Sequence, residues 1–374
     1  MTPIFRRRAV PLLLLAPLAA AASSWAAAEK DMTTFARNSN AFGLELWRRL
    51  PASSNQVFSP ASITTALAMT WGGAKGETAA QMQKVLHFQG SAADVMQASG
   101  QLSATLTDPK RPIVFRIANR LFGEAGFPFE ASFLAATKAA YGAALEPLGF
   151  QAAPEKARVH INGWVEAQTE KRIQDLIPSG GITEDTRLVL ANAIYFLGDW
   201  QDPFEKEATR PLAFNLSPAE KKDVPTMQRS GPYRHTRGDG LAALELPYKG
   251  GQMSMLVLLP DAVDGLATLE KELKVERLER IVSALAPNRV AVALPKFEVN
   301  PQGSLALATH LKAMGMPLAF DRERADFTGI ANPKDPKDRL HIGNVFHTAF
   351  VKTDEKGTEA AAATAAVMMR AAGM

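Results

Sequence analysis

The amino-acid sequence predicts a single α+β domain in which helices come first and strands come later. Apolar residues follow helical spacing in much of the first half, whereas strand-like apolar runs dominate the second half. Arg187–Phe196 is nearly continuous apolar sequence, which is typical of a strand covered on both faces. Because helices and strands are grouped and do not alternate, the pattern favours α+β over a parallel α/β fold.

The elements are predicted in order from periodicity and from residues that start or stop them. Pro51 ends the first helix, Pro60 suits the first turn of the second, and Pro178 closes the long helix that precedes it. The predicted helices are Thr33–Leu50, a second running from Ser59–Ser62 to Gly72–Gly73, Glu77–Leu86, Phe129–Tyr141, Ala153–Ile177, and segments near Leu266–Leu285 and Leu305–Met314. The predicted strands are Ile113–Phe122, Arg187–Phe196, Ala242–Pro247, Met253–Leu259, Val290–Glu298 and Val345–Lys352.

The N-terminus has the pattern of a secretory signal peptide over residues 1–28. Arg6–Arg8 provide the positive region, Val10–Ala22 the short apolar stretch, and Ala26–Ala28 an A-x-A-like cleavage site. The arginines leave twin-arginine export open, although the general route is favoured. We therefore expect an exported bacterial protein, periplasmic or extracellular, with residues 29–374 as its single domain. The apolar stretch is too short to be a stable membrane anchor.

Charge and cysteine content exclude several classes of function. The full chain has 42 basic and 38 acidic residues, and residues 1–28 contain three arginines and no acidic residue, so their removal lowers the net charge from +4 to +1. A nearly neutral mature chain gives no reason to expect a nucleic-acid partner. The absence of cysteine excludes disulfides, thiolate nucleophiles, zinc–thiolate sites and cysteine-linked lipids.

Signatures of catalysis and of cofactor binding are absent from the sequence. There is no nucleophile elbow, no S-x-x-K, no H-E-x-x-H and no glycine-rich phosphate loop. The six histidines do not have the spacing of metal ligands. We therefore predict no cofactor, no metal and no enzymatic activity, with an enzyme assembled from distant residues as the last-ranked alternative.

A segment of small residues, KTDEKGTEAAAATAA, occupies Lys352–Ala366. With strand periodicity its even positions would place Thr358, Ala360, Ala362, Thr364 and Ala366 on one face, small enough to enter a closed sheet. The opposite parity would leave the following acidic residue, Glu359, facing water. Because alanine is the best helix former, an alanine-rich helix or a low-complexity tail remains the alternative at this point.

Several long motifs together resemble the serpin family, over about residues 40–366. They are NQVFSPASITTALAMTWGGAKGETAAQMQKVL at Asn55–Leu86, INGWVEAQTEKRIQDLI at Ile161–Ile177, TRLVLANAIYFLGDWQDPF at Thr186–Phe204, and then LELPYKGGQMSMLVLLP, VALPKFEV, ADFTGI and HIGNVFHTAFVKTDEKGTEAAAATA in family order. One departure is Leu197, where the family commonly has lysine. The resemblance implies helices packed on a large central sheet A, smaller sheets B and C, and an exposed reactive-centre loop.

The resemblance also implies an activity, namely suicide inhibition of a serine protease or, for some members, a cysteine protease. The protease would cut the exposed loop and form its acyl-enzyme, and the cut loop would insert into sheet A, which traps a covalent complex. The inhibitor is expected to be a monomer. A non-inhibitory serpin acting as a binding protein is one alternative, and a truncated serpin without activity is another.

Site residues follow from the resemblance by motif. The hinge comprises Glu355, Gly357, Thr358, Glu359, Ala360, Ala361, Ala362, Ala363 and Thr364, with Gly357 as its freely rotating turning point. A polar cluster beneath the sheet, the shutter, comprises Ser59, Ser62, Asn192 and His347. The breach at the top of the sheet comprises Trp200 and Lys296, and Lys296 is expected to pair with Glu355.

The scissile bond is expected at Ala371–Ala372, which would suit elastase-like proteases. Loops one residue shorter would place it at Arg370–Ala371 and suit trypsin-like enzymes, and Met369 would suit chymotrypsin- or subtilisin-like enzymes. Family members continue for several tens of residues beyond this loop, whereas the sequence ends at Met374. The domain is therefore expected to be incomplete at its C-terminus and to fold poorly unless that piece is supplied.

Overall fold

A computed structural model describes residues 15–50 and 55–371, with the backbone alone for residues 15–28. The helices are α1 (Leu15–Trp47), α2 (Pro60–Trp71), α3 (Gly76–Val85), α4 (Ala92–Leu106), α5 (Ala131–Tyr141), α6 (Pro154–Gln168), α7 (Leu266–Glu272), α8 (Val275–Ala284) and α9 (Ala308–Met314). The strands are β1 (Val114–Glu124), β2 (Leu145–Leu148), β3 (Thr186–Asp199), β4 (Arg210–Asn215), β5 (Lys221–Gly238), β6 (Leu241–Pro247), β7 (Ser254–Pro260), β8 (Ala286–Pro295), β9 (Phe297–Val299), β10 (Leu305–Ala306), β11 (Leu340–Thr353) and β12 (Gly357–Arg370).

The strands form two sheets, which agrees with the predicted α+β class. The larger has seven strands in the order β10-β11-β12-β3-β1-β2, with β9 also paired to β11. Its pairs are antiparallel except β1 with β2. The smaller has five strands, β4-β5-β6-β7 with β8 on β5. The two smaller sheets implied by the resemblance are one sheet in the described chain, because the 18-residue β5 pairs along its length with β4, β8 and β6.

Helices cover both faces of the larger sheet and thereby explain the apolar run in β3. Ser59 caps α2 by accepting a hydrogen bond from the backbone of Ser62, and Pro60 occupies the first turn. The buried apolar residues of α2 belong to the core on one face of the sheet. On the other face, Ile161 and Val165 of α6 pack in a second core. Because β3 lies between these cores, nearly every residue in it is buried.

The segment expected as an exposed reactive-centre loop is a central strand in this structure. Residues 357–370 form β12, which pairs with β11 on one side and β3 on the other. Its backbone groups are therefore satisfied by both neighbours, and its small side chains fit between the two helical layers. Of the two interpretations of the alanine run, the strand is the one found.

Other boundaries differ from the sequence prediction for identifiable reasons. The helix predicted over Ala153–Ile177 ends at Gln168, because Glu170 and Lys171 adopt left-handed backbone angles and the chain continues as a loop. Helix α4 and the long strand β5 were not predicted. In the proposed signal peptide, residues 1–14 lie outside the described part of the chain, and the remainder forms the first part of α1.

Candidate functional site

The hinge begins as a tight turn that joins β11 to β12. The Asp354 N–H donates to Gly357 O at 3.0 Å, and the Lys356 N–H donates to Asp354 Oδ1 at 2.9 Å. A Cβ on Gly357 would lie 2.1 Å from the backbone oxygen of Gly198 in β3. Gly357 is not among the glycines with positive φ. The position therefore requires glycine for close approach to β3, a different reason from the rotational freedom predicted from the sequence.

The small residues of β12 are buried on both faces. Ala361, Ala363 and Ala365 pack in the core shared with α6, whereas Ala366 packs in the core beneath α2. Thr358, Ala362 and Thr364 are also buried, and Ala360 is half-buried. The odd-numbered face, where parity predicted Glu359 to face water, is instead covered by α6 and the loop after it.

Glu359 itself is largely buried, contrary to the prediction from parity. Its side chain is only 16% exposed and accepts two hydrogen bonds from Arg172, at 2.8 Å to Oε1 and 2.6 Å to Oε2. The hydroxyl of Tyr195 donates to the same Oε1 at 3.0 Å. Burial acts to raise the pKa of Glu359, but these bonds and the charge of Arg172 outweigh it and hold that pKa below its ordinary value.

The shutter residues lie together beneath the centre of β12. The Ser59 N–H donates to His347 Nε2 at 3.1 Å, and Ser62 Oγ donates to Asn192 Oδ1 at 2.5 Å. Thr364, which the resemblance placed in the hinge, lies between them: its hydroxyl is 2.8 Å from His347 Nδ1 and 3.0 Å from Ser62 Oγ. Strand β12 thus contributes its own hydroxyl to the polar cluster.

The hydrogen bonds of this cluster run in one direction. Because His347 Nε2 accepts a bond from the backbone, the neutral ring carries its proton on Nδ1 and donates to Thr364. Thr364 then donates to Ser62, whose own proton goes to Asn192. The Asn192 amide donates onward to Asn119 Oδ1 at 2.9 Å. Asn119 lies on β1 and was not predicted from the sequence as a member of this cluster. Burial lowers the pKa of His347 to about 3, so the ring is neutral.

The breach holds the base of the hinge through an ion pair. Lys296 Nζ lies 3.0 and 2.8 Å from the two carboxylate oxygens of Glu355, and Thr209 Oγ1 donates to Glu355 Oε1 at 2.8 Å. Burial of Glu355 acts to raise its pKa, but the bonds from Lys296 and Thr209 and the positive charge bring it below the ordinary value. Trp200 stacks on Tyr248 at 4.7 Å, and its Nε1 donates to Asp354 O at 2.9 Å.

The far end of β12 is held by charged residues. Arg370 Nε donates to Asp185 Oδ1 at 2.8 Å, and its backbone N–H donates to Asp185 O at 2.9 Å. The next residue, Ala371, donates its N–H to Arg339 O at 2.9 Å. Ala372, the predicted residue after the cut, lies outside the described residues. The neighbouring strands end here, since Leu340 pairs with Arg370.

The described part of the chain contains no candidate metal site and no candidate membrane-spanning helix. Over residues 15–50 and 55–371, no group of three or more histidine, cysteine, aspartate or glutamate side chains could hold a metal ion. In the same part of the chain, no helix is both long and apolar enough to cross a membrane.

Comparison with known proteins decides the family. A sequence model described as "Serpin (serine protease inhibitor)" matches residues 37–374. The chain belongs to the serpin family. This serpin is 40% identical over 341 residues to a leukocyte elastase inhibitor of Equus caballus, covering 88% of each chain. It is 39% identical over 346 residues to serpin B6 of Pongo abelii, covering 90% of each.

Solved structures agree in fold with this serpin. "Cleaved Serpin 42Da" superposes with a TM-score of 0.85 at 32% identity, covering 92% of this chain and 91% of the other. A loop-inserted structure of a cleaved ovalbumin mutant gives 0.84 at 30% identity, covering 90% and 92%. Emu ovalbumin (Dromaius novaehollandiae) gives 0.85 at 29% identity, covering 91% of each chain. Of these solved structures, the ovalbumin mutant is described as loop-inserted and Serpin 42Da as cleaved.

Proposed function

We propose that this serpin inhibits a serine protease by a suicide mechanism in which the cut loop becomes β12. The observation that carries the proposal is the central place of β12 between β11 and β3, with small side chains buried on both faces. A protease that has formed its acyl-enzyme on the loop would be carried to the far end of the sheet as the strand inserts. Deacylation then competes with insertion, so a hinge that inserts quickly favours the covalent complex.

The residues of β12 suit rapid insertion. Between Gly357 and Val367 the side chains are alanine and threonine with the single exception of Glu359. Alanine loses almost no side-chain entropy on burial, and threonine finds partners at both positions. A non-inhibitory binding protein has no need of such a strand, so this composition favours the inhibitor over that alternative.

The register of β12 bears on the scissile bond. Arg370 pairs with Leu340, and Ala371 donates a further backbone hydrogen bond to Arg339. A cut before Arg370 would remove residues that pair with the sheet, which disfavours a bond immediately after Met369. We place the bond at Ala371–Ala372, with Arg370–Ala371 as the alternative. A small residue before the cut suits an elastase-like target, and relatives of this chain include proteins named leukocyte elastase inhibitor.

The polar groups of the shutter and the breach are proposed to guide insertion. The hydroxyls, amide and imidazole of the shutter can exchange partners when β11 and β3 separate, so buried polar atoms stay satisfied before and after insertion. At the breach, Lys296 and Glu355 would fix the point about which the loop turns. Trp200 supports this turn through its bond to the backbone of Asp354.

The remaining features of the proposal concern location and assembly. The pattern of residues 1–28 supports export to the periplasm or beyond, with a mature chain that begins near Glu29. We propose a monomer whose partner is the target protease. An intact mass of the protein recovered after expression tests the cleavage site of the signal peptide directly.

The mechanism is tested by covalent trapping. The protein is mixed with an elastase-like serine protease and, separately, with a trypsin-like one, and complexes that survive detergent are resolved by electrophoresis. We expect a complex with the elastase-like enzyme. Ala363→Glu should abolish the complex while the loop is still cut, because a buried carboxylate on β12 would block insertion. Ala93→Glu, on the exposed surface of α4, is the matched control and should inhibit normally.

Two results would contradict the mechanism. Complete cutting of the parental loop without any covalent complex would favour the non-inhibitory alternative. Equal complex formation by Ala363→Glu and by the parental protein would show that β12 need not insert. Mass spectrometry of the cut product gives the scissile bond, and a cut before Arg370 would overturn its placement here.

A further inference from the structure

The alanine run of β12 gives little information about strand register. A strand is normally aligned by matching large apolar residues to a core and polar residues to water, and a slip moves side chains into the wrong surroundings. Residues 360–363 are all alanine, and both faces of β12 are buried. A slip by two positions that lengthens the turn would place Ala362 and Ala363 where Ala360 and Ala361 now lie, so alanine replaces alanine there. Register must therefore come from the few residues that differ.

Glu359 is the only charged residue of β12 before its last position, and its two partners come from different parts of the chain. Tyr195 lies on β3, and Arg172 lies in the loop after α6. The Arg172 guanidinium lies 5.1 Å from the ring centre of Phe350, which belongs to β11. The carboxylate thus contacts a loop residue that packs against β11 and a tyrosine on β3. Strands β11 and β3 are the two that flank β12.

The local backbone fixes Arg172 over the sheet. Glu170 and Lys171 have φ angles of 50° and 63°, which turn the chain sharply after α6. The Arg172 N–H donates to Thr169 O at 2.9 Å, and Thr169 Oγ1 donates to Val165 O of α6 at 2.9 Å. The arginine is therefore presented by a folded turn with its own hydrogen bonds, and its planar fork matches both oxygens of a carboxylate.

Each slip of β12 would separate this carboxylate from its partners. A shift by one residue would move Glu359 to the opposite face, where Ala360 packs with Phe196 and Trp200 in an apolar cluster. A shift by two would keep the face but place Ala361 before the guanidinium. The turn at Asp354–Gly357 is already tight and cannot be shortened. A slip by two residues must therefore lengthen this turn, which brings Ala362 opposite Val351.

We infer that Arg172 and Tyr195 are positioning residues that receive Glu359 and set the register of the inserting strand. This inference rests on the proposed insertion of the loop. Arg172 acts from the α6 side of the sheet, and Thr364 reaches the shutter from the α2 side. The alanine strand is then aligned by polar contacts at two points on opposite faces.

The absence of native cysteine allows register to be measured by cross-linking. Val351 pairs with Ala360 in the observed register. One variant carries Val351→Cys with Ala360→Cys, and a second carries Val351→Cys with Ala362→Cys, which reports the slip by two. Each is made with Arg172 and with Arg172→Ala. The loop is cut with an elastase-like protease, the thiols are oxidised, and disulfide yields are measured by mass spectrometry.

With Arg172 present, we expect the 351–360 disulfide to dominate. Arg172→Ala should lower the ratio of the 351–360 to the 351–362 product by about tenfold, the factor that corresponds to ~1.4 kcal/mol. Exchanging the charges with Arg172→Glu and Glu359→Arg together should recover part of the ratio that either change alone destroys. Lys171→Gln, the neighbouring cation on the same turn, is the matched control and should leave the ratio unchanged.

The outcomes separate the inference from the function on which it rests. If the parental loop is cut and neither disulfide forms, the strand does not insert, and the proposed function fails together with the register role. If the 351–360 disulfide dominates equally with and without Arg172, insertion stands and the register role is overturned. A thermal shift in Arg172→Ala with no change in the ratio would likewise reduce Arg172 to a structural contact.

Discussion

Removal of one hydroxyl, by Thr364→Val, distinguishes the inserted form from the uncut form. Thr364 accepts a hydrogen bond from His347 Nδ1 at 2.8 Å and donates one to Ser62 Oγ at 3.0 Å, all within buried surroundings. Valine has nearly the same shape and no polar group. In the inserted form the change leaves a buried N–H without this acceptor, at a cost of about 1–3 kcal/mol.

The cost converts to a measurable shift in melting temperature. With an unfolding entropy of about 2.1 cal/mol/K per residue, a chain of this size loses ~3 °C for ~2 kcal/mol. In the proposed uncut form Thr364 belongs to an exposed loop, so no shift is expected there. Thermal unfolding of both forms is followed by circular dichroism at one fixed guanidinium concentration, so that a very stable inserted form melts within range.

Thr348→Val supplies the matched control for this measurement. Thr348 lies on the adjacent strand β11, directly opposite Ala363, and its hydroxyl makes only a long 3.5 Å contact to Gly303 O in exposed surroundings. Its change should shift neither form. The reasoning is refuted if Thr364→Val lowers the two forms equally, or if its effect on the inserted form does not exceed that of the control.

Three further predictions concern the turn, the breach and acid. Gly357→Ala should destabilise the inserted form, because its Cβ would lie 2.1 Å from a backbone oxygen. It should therefore divert the inhibitor from the covalent complex towards simple cleavage. Gly163→Ala, whose Cβ meets nothing within 4 Å, is the control and should have neither effect. Glu355→Gln should lower the free energy of unfolding by about 1 kcal/mol. The effect is modest because the Lys296 side chain is 38% exposed. A double-mutant cycle with Lys296→Met measures the coupling of the pair. Because burial lowers the pKa of His347 to about 3, the unfolded state binds its proton more tightly. The contribution of His347 to the free energy of unfolding is therefore fully present above about pH 6.5. It should fall by about 2 kcal/mol at about pH 5, which denaturant unfolding across this pH range measures.

Each of these predictions has an outcome that contradicts it. Equal behaviour of the two glycine variants would remove the close-approach argument. A coupling energy near zero would show that the breach pair contributes nothing to the inserted form. A stability that stays constant between pH 6.5 and pH 5 would mean that the imidazole is not buried as a neutral group.

Local patterns in the sequence predicted much of the fold. The α+β class followed from the grouping of helices and strands, and β3 was predicted from an apolar run that its two covered faces now explain. The start of α2 was predicted from Ser59 and Pro60, whose capping contacts act within a few residues. These features depend on neighbours in the chain, so periodicity and capping rules are enough to find them.

Contacts between distant segments were decided by the tertiary structure. The surroundings of Glu359 depend on Arg172, 187 positions earlier, and parity alone placed that carboxylate in water. Gly357 is required because β3 passes close by, and Thr364 joins the shutter because β12 lies over α2. The sequence by itself determined that residues 357–366 are small enough to enter a sheet. Where they lie, and which groups align them, depends on strands and loops that only the folded chain brings together.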